Sequence, residues 1–257
     1  MLVACLFFYT SILAAEENLL KADSLFELRN NGFCEEYPFA NADAIRQAAF
    51  YYQKALLEAE SDSLKHEAVW KNLQALYFLG KYATQDKGKK KEIFSQAIKF
   101  GEKYENEFPE SAEIANWMGV LWSRWAENHG IFSAARKGVA GKIKNYAEKA
   151  IRLDENYLDA GGYRLLGMVY FKAPKIPLFL TWPSKEKALQ YLEKAFSIAP
   201  GSLFNKLYLA EVLHESGQHD RAKKLLTEII GEEKIVHDIA VDYYIKQEAK
   251  NYLVKHY

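Results

Sequence analysis

Residues Ala160–Pro200 read AGGYRLLGMVYFKAPKIPLFLTWPSKEKALQYLEKAFSIAP. Apolar side chains recur at intervals of three and four, first before and then after a proline-containing segment, which is the spacing of two amphipathic helices. The small residues Gly167, Ala188 and Ala195 stand where two packed helix backbones must approach closely. The stretch therefore predicts a helical hairpin.

This hairpin resembles one tetratricopeptide repeat. In that repeat an aromatic residue, a Leu-Gly pair and a Tyr mark the first helix, and two alanines followed by a proline mark the second. Here the Leu-Gly pair is Leu166-Gly167 and the closing proline is Pro200. Gly167 and Ala188 are 21 positions apart, whereas the ordinary repeat separates these positions by about 12. An insert, residues 173–184, is expected between the two helices.

The same pattern recurs along the chain, so we predict an all-α, tetratricopeptide-like solenoid of helical hairpins over residues 41–231. Its segments are a lone second helix at 41–58, then the helix pairs 67–82 with 97–109, 115–122 with 143–150, 160–172 with 188–200, and 203–215 with 222–230. Asn41 or Asp43 is expected to cap the first of these helices. Three of the four pairs are widened on the edge that carries the helix-to-helix turns. Inserts that build a binding surface and longer helices that pack together both explain this widening.

Two of the widened segments have a distinctive amino-acid composition. Residues 84–91, TQDKGKKK, are basic and polar, which favours a solvated loop over a membrane or nucleic-acid contact. Residues 138–142, GVAGK, lack the spacing of a phosphate-binding loop and are expected to be a flexible insert.

The N-terminal residues 1–15, MLVACLFFYTSILAA, are apolar and are followed by two glutamates. The run is too short to cross a bilayer, which takes about 20 residues, and it matches the apolar region of a signal peptide. We expect an exported protein, periplasmic or anchored in the outer membrane. If the start codon lies further upstream, Leu2-Val3-Ala4-Cys5 is a lipobox and Cys5 carries the lipid. A buried N-terminal helix is the alternative. In an exported chain Cys34 is the only cysteine besides Cys5, so we expect it to be a packed or free thiol with no internal disulfide.

The ends and the composition add three expectations. Residues 232–257 have a helical pattern and are expected to cap the stack. Lys plus Arg equals Asp plus Glu, at 34 each, so the overall charge gives no support for a nucleic-acid partner. His214 and His219 resemble the zinc-binding HExxH motif, but the second His comes one place too late to share a helical face. We expect two surface histidines there, no metal, no cofactor and no enzymatic activity.

Residues 159–210, with the insert and the segments KALQYLEKAFSIAP and NKLYLAEVL, resemble the TatT family, the T component associated with TRAP transporters. The runs NWMGVLWSRWAENHGIFSAARKG and KNYAEKAIRLDENY are similar to that family as well, so the likeness extends over about residues 41–230. A similar extended-repeat pattern occurs in the regulator of microtubule dynamics family. The TatT resemblance implies an exported, often lipid-anchored homo-oligomer, a trimer around an apolar channel, whose partner is a periplasmic substrate-binding protein. This chain departs from the family in its missing basic N-terminal region, its displaced lipobox and Glu155 in place of a closing Pro.

In a tetratricopeptide array the first helices line a groove, and fixed positions of each repeat point into it. Counting from residues 67, 112, 160 and 203 as position 1 puts ten residues in the lining: Lys71, Phe78, Asn116, Arg124, Arg164, Phe171, Lys172, Leu207, Glu211 and His214. Because an arginine presents a planar fork to a carboxylate, we expect a small amphipathic or organic-acid ligand, with Arg164 as the first choice of contact. Phe179 and Trp182, apolar residues in a turn, are the expected interface.

These observations support two functions. The first is an exported, non-catalytic binding protein of a TRAP-type system, which captures a ligand and hands it to a partner. The alternative is a tetratricopeptide scaffold that binds peptides or proteins and no small molecule.

Overall fold

The computed structural model describes residues 2–174 and 180–257, with side chains described from residue 13 onward. The chain forms two compact units, Met1–Ile131 and Phe132–Tyr257. The α-helices of the described residues are α1 Leu2–Glu27, α2 Ala42–Glu58, α3 Asp62–Tyr82, α4 Lys87–Tyr104, α5 Ala112–His129, α6 Ile131–Arg136, α7 Val139–Leu153, α8 Tyr157–Lys172, α9 Lys185–Ile198, α10 Leu203–Glu215, α11 His219–Gly231 and α12 Ile239–His256. A short 3-10 helix, Leu28–Asn30, follows α1. The boundary between the units falls inside the region predicted as one repeat array.

The first unit is a stack of antiparallel helices in which α1 packs on α2, α2 on α3, and α4 and α5 on α3 and on each other. Sequence reasoning left α2 without a first helix, and α1 fills that position. Its residues Ala15, Leu19, Ala22 and Phe26 recur at intervals of three and four and are buried. The N-terminal part of the chain that follows the predicted signal segment is therefore a member of the stack.

Local capping explains where several helices begin. The Asn41 side chain accepts a hydrogen bond from the Ala44 amide at 3.1 Å, as one of the two predicted caps of α2. Ser111 and Ser184 cap α5 and α9 in the same way. Ser61 caps α3, which begins five residues before the apolar pattern predicted. Each of these caps satisfies an amide that the first helical turn leaves without a partner.

The second unit contains the hairpin from which the fold was deduced. Helices α7 and α8 pack together, α8 packs on α9, and the series continues through α10 and α11 to α12. Ala188, Leu192 and Ala195 are fully buried, as their spacing predicted. A Cβ atom on Gly167 would lie 2.6 Å from Leu192 Cγ and 3.2 Å from the Ala188 carbonyl oxygen. The glycine is therefore what lets α8 and α9 approach.

The widened segments differ from one another. Between α3 and α4 only residues 83–86 are not helical, so the first gap is filled by longer helices and the lysines of 87–91 lie in the first turns of α4. This corrects the expectation of a solvated loop there. The second gap contains the extra helix α6. Val139 to Lys142 belong to α7, so the expected flexible insert is also helical. The third gap, residues 173–184, lies partly outside the described residues.

The predicted signal segment lies in the first half of α1, and its removal stays a prediction. None of the described helices is long and apolar enough to cross a membrane. Cys34 is an exposed free thiol, in agreement with the expectation for it.

Replacing Gly167 with Ala should destabilise the fold by about 1–3 kcal/mol, because the added methyl group overpacks the contact between α8 and α9. Gly141 is the matched control, since it lies in α7 and a Cβ there meets nothing within 4 Å. Gly141→Ala should stabilise the fold by about 0.5 kcal/mol through helix propensity. Urea denaturation measures both values, and equal effects of the two variants would contradict the close-packing interpretation.

Candidate functional site

Lys71, a predicted groove residue of the first unit, is enclosed in a network of charges. Its Nζ atom lies 2.7 Å from Asp23 Oδ2 and 2.6 Å from Glu67 Oε1. Tyr52 donates a hydrogen bond to the other oxygen of Asp23 at 2.8 Å. Burial alone lowers the pKa of Lys71, but the hydrogen bonds to the two carboxylates outweigh it and hold the pKa above its usual value. Lys71 thus ties α1 to α3.

Phe78 and Asn116, two further groove residues, are in the interior of the protein. The Phe78 ring packs edge-on against Phe26 with 5.2 Å between ring centroids. Asn116 has no exposed surface, and neither atom of its side-chain amide has a hydrogen-bond partner among the described residues. Asn72, which the sequence analysis did not single out, is in the same state.

Arg124 lies in the last turns of α5 and forms an ion pair with Glu127, three residues further on. One Nη atom of Arg124 donates to both carboxylate oxygens, at 3.0 and 2.7 Å. Trp117, Trp122 and Trp125 of the same helix are buried, as expected of core residues. The groove positions of the first unit therefore hold mainly internal contacts.

Arg164 is the anchor of an unusual turn at the start of α8. Leu158, Asp159 and Ala160 have φ angles of 50°, 56° and 61°, so three successive residues other than glycine adopt the left-handed conformation. This conformation costs each of them about 1–2 kcal/mol. The two Nη atoms of Arg164 donate to the carbonyl oxygens of Leu158 and Asp159 at 3.0 and 3.1 Å.

Asn205 of α10 completes the anchor. Arg164 donates to its side-chain oxygen at 2.9 Å, and the Asn205 amide nitrogen donates to the carbonyl oxygens of Asp159 and Ala195, both at 3.0 Å. The guanidinium group also lies 5.2 Å from the centroid of the Phe204 ring. The predicted role of Arg164 in ligand binding stays a prediction, and the structure shows these donors engaged inside the protein.

Three predicted groove residues remain together at the surface of the second unit. They are Phe171 and Lys172 at the end of α8 and Glu211 on α10, and we name them the α8–α10 surface. The Lys172 Nζ atom lies 4.7 Å from the centroid of the Phe171 ring and 2.5 Å from Glu211 Oε2. The lysine side chain is 58% exposed. Aromatic, cationic and anionic groups are thus adjacent, with the lysine exposed, Phe171 half-buried and the Glu211 side chain only 14% exposed.

His214, the neighbouring groove residue, belongs to a cluster that the sequence analysis missed. Its Nδ1 atom lies 3.2 Å from Nδ1 of His219 and 3.0 Å from the Tyr257 hydroxyl. The His256 ring is 4.5 Å away between centroids. His214 and His219 share no helical face, as predicted, but the turn between α10 and α11 brings them together. Only the packing of α12 brings in His256. No group of three or more His, Cys, Asp and Glu side chains in the described part of the chain has the geometry of a metal site.

The remaining predicted site residues are placed as follows. Trp182 packs against Tyr170, with ring centroids 4.8 Å apart, and is half-buried. Phe179 lies outside the described residues, and Cys5 lies in α1 before the first described side chain. The interface at Phe179 and Trp182 and the lipid on Cys5 stay predictions.

The fold is that of a tetratricopeptide protein. The crystal structure of a thermophilic TPR protein of Thermus thermophilus matches the model with a TM-score of 0.62 at 15% identity, over 93% of this chain and 99% of that one. This likeness confirms the predicted class of helical solenoid. Two crystal structures of MamA are also similar, with TM-scores of 0.45 and 0.39, identities of 17% and 19%, and coverage of 88% and 83% of this chain and 98% and 92% of theirs.

A family model shows which group of such proteins this is. The model described as regulator of microtubule dynamics protein 1-3 matches residues 39–257. The chain therefore belongs to that family. No curated protein matches the chain.

The left-handed turn gives a test by glycine substitution. Leu158→Gly should stabilise the protein or leave its stability unchanged, because glycine adopts a positive φ without steric cost. Leu165→Gly, in the right-handed part of the same helix, should cost at least about 1 kcal/mol. Thermal unfolding of both variants measures the difference, and an equal loss in the two would refute the left-handed geometry.

The anchor of the turn gives a second test. Arg164→Met should destabilise by about 2–4 kcal/mol, since it leaves the Leu158 carbonyl group and the buried Asn205 side-chain oxygen without their donor. Arg221 pairs with Glu193 on the surface, where its side chain is 54% exposed, so Arg221→Met should cost less than about 1 kcal/mol. Urea denaturation that ranks Arg221→Met as the more harmful change would overturn the role given to Arg164.

Proposed function

We propose that the protein is a non-catalytic scaffold that binds a segment of a partner protein. The observation that carries this proposal is the α8–α10 surface, where Phe171, Lys172 and Glu211 lie side by side on the groove positions of a tetratricopeptide-like stack. Solenoids of this class use the concave face for extended ligands. The likeness in fold to a TPR protein supports the same class of function.

The chemistry of this surface suits a peptide. The half-buried Phe171 ring offers apolar contact area beside the exposed lysine, and aromatic residues are enriched at protein interfaces. The Lys172 amine and the Glu211 carboxylate pair with each other in the free protein. A bound segment that carries both charges would replace that pair, which favours a polar, zwitterionic sequence over a simple organic acid.

The family description suggests which partner to test first. Members of the matched family are described as regulators of microtubule dynamics. We therefore propose a component of the microtubule system, with the polymer itself as the first candidate, as the partner of this chain.

The TatT assignment is the second candidate, because residues 159–210 carry the resemblance described above. It would make the protein an exported, lipid-anchored trimer that binds an organic-acid ligand and a TRAP substrate-binding protein. The family match carries a different description, so we place the transport function second. Native mass spectrometry separates the two, since the transport function requires a chain processed near Ala15, a threefold mass and a small molecule released on denaturation.

The scaffold proposal is tested by co-sedimentation with stabilised microtubules. The wild-type chain should pellet with the polymer, and the double variant Phe171→Ala/Lys172→Glu should bind at least about fivefold more weakly, since loss of one aromatic anchor costs more than about 1 kcal/mol. Lys99→Glu/Phe100→Ala makes the same chemical change on α4 and is the matched control, which should bind like wild type.

The outcomes separate the partner from the surface. A wild-type chain that stays in the supernatant would exclude microtubules as the partner. Binding that both double variants weaken equally would instead exclude the α8–α10 surface. Circular dichroism of the two variants confirms that each is folded before binding is compared.

A further inference from the structure

The C-terminal helix α12 is held at both of its ends by histidine side chains. It packs on α11 and α10 through a face that includes Ala240, Val241, Ile245 and Ala249, all buried. These are small or medium-sized side chains, and the opposite face of α12 carries the highly exposed Val254. Polar attachments at the two ends of α12 add to this apolar contact.

His237 forms the attachment before α12. Its Nε2 atom accepts a hydrogen bond from the Leu203 amide at 3.2 Å, and it lies 3.4 Å from Ser202 Oγ. Ser202 itself makes no capping bond to α10, so the histidine supplies that cap from a distant part of the chain. Because Nε2 accepts, the proton of the neutral ring must be on Nδ1, which lies 3.5 Å from Asp159 Oδ2.

The neighbourhood of His237 opposes a second proton on the ring. Burial, the main cause, and the positive charge of Arg164 lower the pKa of His237, whereas the carboxylates of Asp242, Asp159 and Asp238 raise it, and the net shift is downward. Protonation would put an N–H group on Nε2, facing the Leu203 N–H group, and the cap of α10 would be lost. The neutral ring is therefore the form that holds this attachment.

The second attachment is the histidine cluster at the end of α12. His214 contacts His219 and the Tyr257 hydroxyl, and the Tyr257 hydroxyl also donates to the His219 carbonyl oxygen at 3.0 Å. His256 lies against His214 and stacks on Tyr252 with 4.3 Å between centroids. Three imidazole rings are thus in contact, and positive charges on two of them would repel each other.

The charged groups around this cluster do not neutralise it. Burial, then His256 and His219, lower the pKa of His214, and the Glu215 carboxylate raises it only in part. Glu215 is paired with Lys185 at 2.9 Å. From α11, the Lys223 amine lies over the Tyr257 ring. Burial and then the Asp220 carboxylate raise the pKa of the Tyr257 hydroxyl. Burial and then the Glu211 carboxylate raise the pKa of Tyr252. The charge of Glu211 is itself paired with Lys172.

We propose that α12 is a cap released by acid: uncharged His237 and His214 dock its two ends, and protonation of these two side chains detaches it. Detachment bares the apolar faces of α10, α11 and α12 that pack together at neutral pH. This inference stands apart from the proposed function, since it concerns the folded chain alone and needs no partner.

The sign of the pH dependence follows from the direction of the shifts. A histidine whose pKa is lowered in the folded state stabilises that state fully above its ordinary pKa, near 6.5. As the pH falls below that value the detached form takes up protons first, so docking weakens until the pH reaches the lowered pKa of the docked form. The release is therefore expected as the pH falls below about 6.5.

Hydrogen exchange of the full chain, followed by mass spectrometry at pH 7.5 and 5.5, tests the proposal. Labelling times are scaled to the intrinsic exchange rate at each pH. Peptides of α12 should lose protection at the lower pH, because the detached form binds protons that the docked form excludes. Peptides of α2 and α3, in the other unit, should keep their protection.

Two conservative substitutions sharpen the test. His237→Gln places a carbonyl oxygen where Nε2 accepts from Leu203, and His214→Asn places one where Nδ1 lies, and neither side chain titrates. The double variant should keep α12 protected at both pH values. His66→Gln is the matched control, since His66 contacts Ser111 Oγ at 2.7 Å in the first unit, and it should release α12 as the wild type does.

Three results would overturn the proposal. The first is equal protection of α12 in the wild type at both pH values. The second is an equal loss in every helix, which would mean general acid unfolding. The third is release in the double variant that matches the wild type, which would assign the pH dependence to other groups.

Discussion

The fold depends on how closely the two helices of each hairpin approach. At Gly167 the space for a Cβ atom is already taken by Leu192 and by the Ala188 carbonyl group, and at Gly101 it is taken by Met118 and Leu73. Contacts this close let a large side chain of one helix fill the notch that the small residue leaves on its neighbour. Because neighbouring helices pack in series within each unit, the small residues fix the spacing between them.

That constraint is why so much of the fold was predictable from the sequence. Small and large residues in a 3.6-residue period identify the packed face of α8 and α9, and the same signal identifies α2, α3 and α5. The predicted N-cap at Asn41 was correct because capping is a local property of the chain. The helix α1 was expected only as the alternative to a signal segment, since the length and composition of its first residues suggested targeting. Its packed face, Ala15 to Phe26, nevertheless shows the same period, and that signal was available.

The candidate site was less predictable, for a physical reason. The repeat register places Lys71, Arg164 and Phe171 at groove-lining positions of their repeats. It does not predict which charged side chains form ion pairs or hydrogen bonds inside the protein. Lys71 meets Asp23 of α1, a helix that the repeat pattern did not include. Arg164 donates to carbonyl groups that a left-handed turn directs toward it. No residue pattern predicts such a turn, since Leu, Asp and Ala rarely adopt a positive φ. The histidine cluster also needs His256 and Tyr257, which follow His214 by about 40 residues and are brought to it only by the packing of α12.

Polar groups in the second unit therefore join segments that lie far apart in sequence. The strain of the turn at Leu158 to Ala160 is offset by donors from Arg164 and Asn205, which at the same time tie the start of α8 to the start of α10. The Asp159 side chain of that turn in turn faces His237, which caps α10 and precedes α12. A strained turn, a helix cap and the attachment of the last helix thus share one polar network. A change in the charge of His237 therefore alters the contacts of the turn and of the start of α10 as well as those of α12.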